Sequence, residues 1–285
     1  MNRHSSPVPG AVAPTELTEE RLALHWAAQP LSAVTHAAIS REEDHSHSNL
    51  GWDHDADSFL TRPFSGGQVA GLHVPGFALF WRDSGAEELD RLDLQGVTLD
   101  SAVDWLTGLV RRDAGEPACG APTLRDYDMP PHPVADGRPF DGGDRERRLE
   151  LARWYAAGDR ALQDVAVAYP QSGGARTWPH HFDLGLLIPL EPDKDPEHAR
   201  SIGVGLSPGD ALTPQPYYYV NPYPRPQATD LPDLPSGGRW ERELFFGAVL
   251  TGDALLDGGD PAAQHERVQA FLAATVEASR KLLGL

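Results

Sequence analysis

The sequence predicts an α+β protein, its mostly antiparallel sheet covered by amphipathic helices. Three observations lead there. Short apolar runs bounded by Gly, Pro, Asn and Asp recur, which is the pattern of strands joined by tight turns. Two strongly periodic helices follow such runs, at 99–112 and 261–283. The order strands, aromatic strand, covering helix occurs twice, giving two similar halves at 31–114 and 178–285.

The elements follow in order. Residues 1–14 are small, Pro-rich and unpatterned, and read as a disordered tail before one α+β domain at 15–285. A helix is expected over 15–29, with Glu16, Glu19 and Glu20 at its positive end and Pro30 stopping it. Residues 31–97 read as strands and loops, with strands at 68–74 and 76–82. Leu99, Ala102, Val103, Leu106, Leu109 and Val110 repeat at helical spacing, and Arg111 and Arg112 suit the C-terminal end. The Pro-, Gly- and Asp-rich stretch 113–143 is a long connection. Residues 144–169 read as helical with a break at Gly158-Asp159. Strands are expected at 201–206, 216–221 and 240–250. Asp260 caps the final helix, Pro261 fits its first position, and Val268, Phe271, Leu272, Thr275 and Val276 form its apolar stripe.

The 285 residues carry a net charge of −18. That charge repels phosphate backbones and anionic lipid surfaces, so neither nucleic acid nor membrane is expected as a partner. No apolar run is long enough to cross a bilayer, and the N-terminus has no secretory h-region, so the expected location is cytoplasmic. Cys119 is the single cysteine, which excludes a disulfide framework. Lys194 and Lys281 are the only lysines; the Arg-, Ala-, Gly- and Pro-rich composition fits a GC-rich bacterial genome.

The most informative stretch is Thr177 to Ile188, Thr-Trp-Pro-His-His-Phe-Asp-Leu-Gly-Leu-Leu-Ile. Read as a strand, it places Phe182, Leu184, Leu186 and Ile188 on a core face. His181, Asp183 and Gly185 take the other, so an imidazole and a carboxylate stand side by side as catalytic candidates. His45 and His47 share a face of the extended Asp44–Asn49 segment. Together with His181 and Asp183 they form a candidate ligand set for a divalent metal, Zn, Fe or Mn. The competing reading makes these histidines polar-loop or backbone-bonded residues. Tyr217 and Tyr219 share a strand face, and Trp178 joins them as a candidate aromatic wall for a small ligand; the competing reading is a core strand with hydroxyls at its rim.

Two other motifs fail. Asp53, Asp55 and Asp57 resemble the start of a calcium loop, but Ser58 and Phe64 stand where it needs Gly and Glu. Gly205-Leu206-Ser207-Pro208-Gly209 has the G-x-S-x-G form, but Pro208 has no N–H for an oxyanion and no helix follows. Ser-Pro-Gly-Asp reads better as a turn.

His181-Phe182-Asp183-Leu184, Ser207-Pro208-Gly209-Asp210 and Tyr217-Tyr218-Tyr219 with Tyr223-Pro224 resemble an uncharacterised bacterial family of unknown function. That family carries a His-x-Phe-Asp-Leu strand, a Pro-Gly-Asp turn and a Tyr-rich, Pro-ended segment. Trp178-Pro179-His180 stands where the family has Phe-Trp-His, which marks a divergent member. Gln29 and Tyr127-Asp128 fit the family's order. The resemblance implies a soluble domain and no particular activity.

The functional expectation is a metal-dependent hydrolase or oxygenase acting on a small molecule. The alternatives are a non-catalytic small-molecule binder with an aromatic pocket, and a metal-independent enzyme using His181 and Asp183 as a general base.

Overall fold

The computed structural model describes residues 8–42, 46–117, 120–194, 198–228, 230–257 and 259–285. The chain is α+β, with antiparallel sheets and helices. It divides into two compact bodies. The first comprises 18–152 and 176–182; the second comprises the segment before Thr18, 153–175 and 183–285.

The first body opens with α1 (Thr18–Ala27) and α2 (Gln29–Ala38). Pro30 occupies the first turn of α2. Proline is tolerated where a helix N–H has no intrahelical acceptor, so it starts a second helix here instead of only ending the first. A five-stranded meander follows: β1 (Gly51–Asp53), β2 (Ser58–Leu60), β3 (Val69–His73), β4 (Ala78–Arg82) and β5 (Glu88–Asp93). Phe77, at φ 49°, turns the chain into β4. Then α3 (Leu99–Asp113) is capped by Thr98, whose hydroxyl accepts from the Ser101 N–H at 3.3 Å. All six residues of its predicted stripe are buried. Each of its Leu and Val side chains contributes about 1.5–3 kcal/mol when fully removed from water. The two-residue β6 (Arg176–Thr177) also belongs to this body, with Thr177 paired to Leu50.

Helix α4 (Arg145–Ala168) runs through Gly158-Asp159 without the expected break. Gly158 is needed for closeness: a Cβ there would press on the Leu206 side chain. Beyond it the second body forms from β7 (Leu184–Pro189), β8 (Ser201–Ser207), β9 (Tyr217–Tyr223), β10 (Arg239–Glu241) and β11 (Gly247–Thr251). They are antiparallel in the order β10-β11-β9-β8-β7. The expected long strand at 240–250 is two strands folded back on each other. The short α5 (Gly252–Leu256) precedes a 3-10 turn whose Ala262 N–H is accepted by Asp260 at 2.9 Å, and α6 (Gln264–Leu282) follows. Val268, Phe271, Leu272, Thr275 and Val276 are all buried, and α6 packs on β8, β9 and β11. Leu184, Leu186, Ile188, Ile202, Val204, Leu206, Tyr218 and Val220 are buried along β7, β8 and β9. No helix is long and apolar enough to cross a membrane among the described residues.

Candidate functional site

The stretch expected as one strand from 177 to 188 is interrupted. After β6 the chain turns, with the Trp178 carbonyl accepting from His181 N–H at 3.1 Å and Phe182 N–H at 2.7 Å. Phe182 has φ 58°, a left-handed conformation costly for a bulky residue. Its ring is the reason. Phe182 is 1 % exposed, stacked on His25 at 5.2 Å and tilted against Phe59 at 5.1 Å. The Pro179 carbonyl accepts from His25 Nε2 at 2.9 Å and Gln29 Nε2 at 2.8 Å, which clamps the turn to α1 and α2. A carbonyl only accepts, so His25 is the donor, held neutral; burial lowers its pKa from 6.5 to about 4.

This turn corrects the geometry expected of His181 and Asp183. They do not alternate off one pleat: His181 is exposed on the turn of the first body, and Asp183 belongs to the second. Leu184, Leu186 and Ile188 are buried as expected, on β7 alone.

Around the turn the first body gathers imidazoles and aromatics. His180 lies 4.3 Å from His181, 5.3 Å from Tyr127 and 6.2 Å from Trp178, ring to ring. Tyr127 hydrogen-bonds His36 Nε2 at 3.1 Å, and His36 Nδ1 lies 3.0 Å from His47 Nε2. His47 Nδ1 accepts from the Glu42 backbone N–H at 3.3 Å. The result is a series of polar rings from His47 through His36 to Tyr127, fixed at one end by the Glu42 backbone N–H, with His180 packed on the other. His47 is 2 % exposed and floors a cavity of about 340 Å³, with Ile39, Glu42, Arg62 and Phe64 in its walls.

The second body orders its tyrosines differently. Tyr217 and Tyr219 share a face of β9, 6.3 Å apart. Tyr217 donates to Asp210 at 2.6 Å, and Tyr219 donates to Asp183. Both phenol pKa values are pushed up, chiefly by burial and then by the neighbouring carboxylates. Trp178 belongs to the first body, so the three residues expected as one aromatic wall are divided between two bodies.

Of the expected metal set, His45 lies outside the described residues, as does Cys119. No three His, Cys, Asp or Glu side chains are grouped to hold an ion among the described residues. Ser207 ends β8 in a turn, its Oγ accepting from Gly209 N–H at 3.1 Å, and β9 follows. Residues 54–57 form the turn between β1 and β2, and Asp53 at the end of β1 pairs with Arg82 at 3.0 Å.

Three residues of this cluster were not among the candidate site residues read from the sequence: His36, Tyr127 and His180. His36 was hidden because α2 was unexpected. His180 sits next to a chosen histidine, and only the turn selects it. No family model, curated protein or solved structure matches the chain.

Proposed function

We propose that the chain binds a small molecule beside Tyr127, Trp178 and His180 and carries out proton-transfer chemistry on it, as in hydrolysis. The observation that carries this reading is the chain His47–His36–Tyr127, three side chains linked end to end with a phenol at one end and a cavity at the other. Linked imidazoles and phenols pass protons between a reacting group and solvent. Aromatic rings beside a few polar groups are also what small-ligand sites present.

A thermal-shift screen of small molecules tests it. A stabilising compound is expected whose effect disappears in His180→Ala and weakens in His36→Ala. A hit unaffected by both variants counts against this site. The metal-assisted version of the reading needs a ligand beyond His36 and His47. Elemental analysis of purified protein decides that version: stoichiometric Zn, Fe or Mn supports it, and folded, ligand-responsive protein without metal removes it.

A further inference from the structure

Resting on that reading of the site, we infer that Tyr127 is its catalytic hydrogen-bond donor, held in the donor role by His36 and His47, and that the ligand presents a carbonyl or phenolate oxygen. The direction of the hydrogen bonds fixes these roles. The Glu42 backbone N–H can only donate, so His47 Nδ1 accepts. A neutral imidazole has one N–H, so His47 carries it on Nε2 and donates to His36 Nδ1. His36 then carries its own hydrogen on Nε2 and donates to the Tyr127 oxygen. A phenol that accepts from its histidine keeps its own O–H for another acceptor. Among the described residues, His36 is the one hydrogen-bond partner of that hydroxyl.

The surroundings define what that acceptor belongs to. Tyr127 is half-buried, and its ring neighbour is His180, flanked in turn by Trp178 and His181. A flat apolar group suits these rings, and an acceptor oxygen suits the O–H. A tyrosine aimed at an oxygen that gains negative charge is a recurrent oxyanion stabiliser. His36 and His47 never touch the ligand in this arrangement. They are positioning residues: reversing either tautomer would turn the phenol round and use its hydrogen on His36.

The experiment has two arms on the full chain. With ¹⁵N-labelled histidine, long-range ¹H–¹⁵N spectra at pH 8 are expected to show His36 and His47 both as Nε2–H tautomers, each assigned by its Gln variant. An Nδ1–H tautomer at either position overturns the inference. In the second arm the probe is 4-nitrophenolate, whose absorption band reports a hydrogen bond to its oxyanion. Wild type is expected to bind it and shift the band. Tyr127→Phe is expected to bind about tenfold or more weakly, the scale of a lost hydrogen bond to a charged group. Equal binding by Tyr127→Phe, or none by wild type, overturns the inference. If a screened compound still depends on His180 while the tautomers run the other way, only the donor assignment fails and the proposed site stands.

Discussion

The two bodies share one packing device and put it to different uses. In the first, Phe80 on β4 lies across Gly71 of β3; in the second, Tyr219 on β9 lies across Gly205 of β8. In both pairs a Cβ on the glycine would fall within the ring. An aromatic thus covers the gap that glycine leaves in a strand. Phe80 has no hydroxyl, and Arg82 sits over its face at 4.4 Å. Tyr219 extends past the glycine and donates to Asp183. One extra oxygen converts a packing contact into an anchored polar pair.

The polar groups of the two bodies differ in the same way. Tyr217 and Tyr219 each donate to a carboxylate, the strongest acceptor a phenol meets in a protein. These pairs hold β9 to the start of β7 and to the turn after β8. The first body links two imidazoles and a phenol in series, and the phenol lies beside other rings. The carboxylate pairs brace strands; on the proposed reading the imidazole series positions a ligand-binding phenol. On this contrast, substitutions in the second body should act on stability and those in the first on binding.

The largest stability effect should nevertheless come from the residue that makes the turn of the first body. His25 has its pKa depressed from 6.5 to about 4, so the folded state resists the proton that the unfolded state accepts. Its contribution is fully present above pH 6.5 and is lost as pH falls toward 4, to a total of about 3 kcal/mol. Urea unfolding at pH 7 and pH 4.5 should show this slope in wild type and lack it in His25→Gln. An unchanged slope would mean that burial of the His25 imidazole is not the source of the acid sensitivity.

Next, Gly205→Ala should cost about 1–3 kcal/mol by forcing Tyr219 off its strand, against a similar loss for Gly71→Ala under Phe80. Tyr219→Phe, which keeps the ring, should still cost about 1.5–3 kcal/mol by removing the donor to Asp183. It should also alter the alkaline limb. A phenol with a raised pKa stabilises fully below its ordinary value of 10.0 and loses that contribution as pH rises above it, so wild type weakens from there upward and Tyr219→Phe does so less steeply. Equal alkaline slopes would remove the distinction between the two aromatic–glycine pairs. The smallest stability effect should be His36→Ala, about 1 kcal/mol by urea unfolding, the low end of the cost of removing that partner from the buried His47 imidazole. A loss as large as that of Tyr219→Phe would make the imidazole chain a structural brace.

Much of the fold was legible because it is written in local periodicity. The α3 stripe from Leu99 to Val110 and the Asp260 cap before α6 depend on neighbours within one or two turns, and both stand where expected. The errors arose where a distant partner outweighed local preference. Pro30 reads locally as a stop, yet it opens α2. Gly158 reads as a break, yet α4 continues because Leu206 occupies the space beside it. At 178–182 the alternation of side chains was a fair local signal for a strand. Burial of Phe182 against His25 and Phe59, with the Pro179 clamp, makes it a turn.

By itself, the sequence determined the α+β class, the antiparallel strands, the two long apolar-faced helices and the failure of the calcium-loop and serine-elbow patterns. Each follows from the period of side chains along a helix or strand, or from one missing atom such as the N–H of Pro208. Only the tertiary structure decided that Asp183 serves Tyr219, and that His36, His47 and Tyr127 form one chain. Those contacts join residues up to 91 positions apart, and no local spacing encodes a meeting that depends on how separate elements pack.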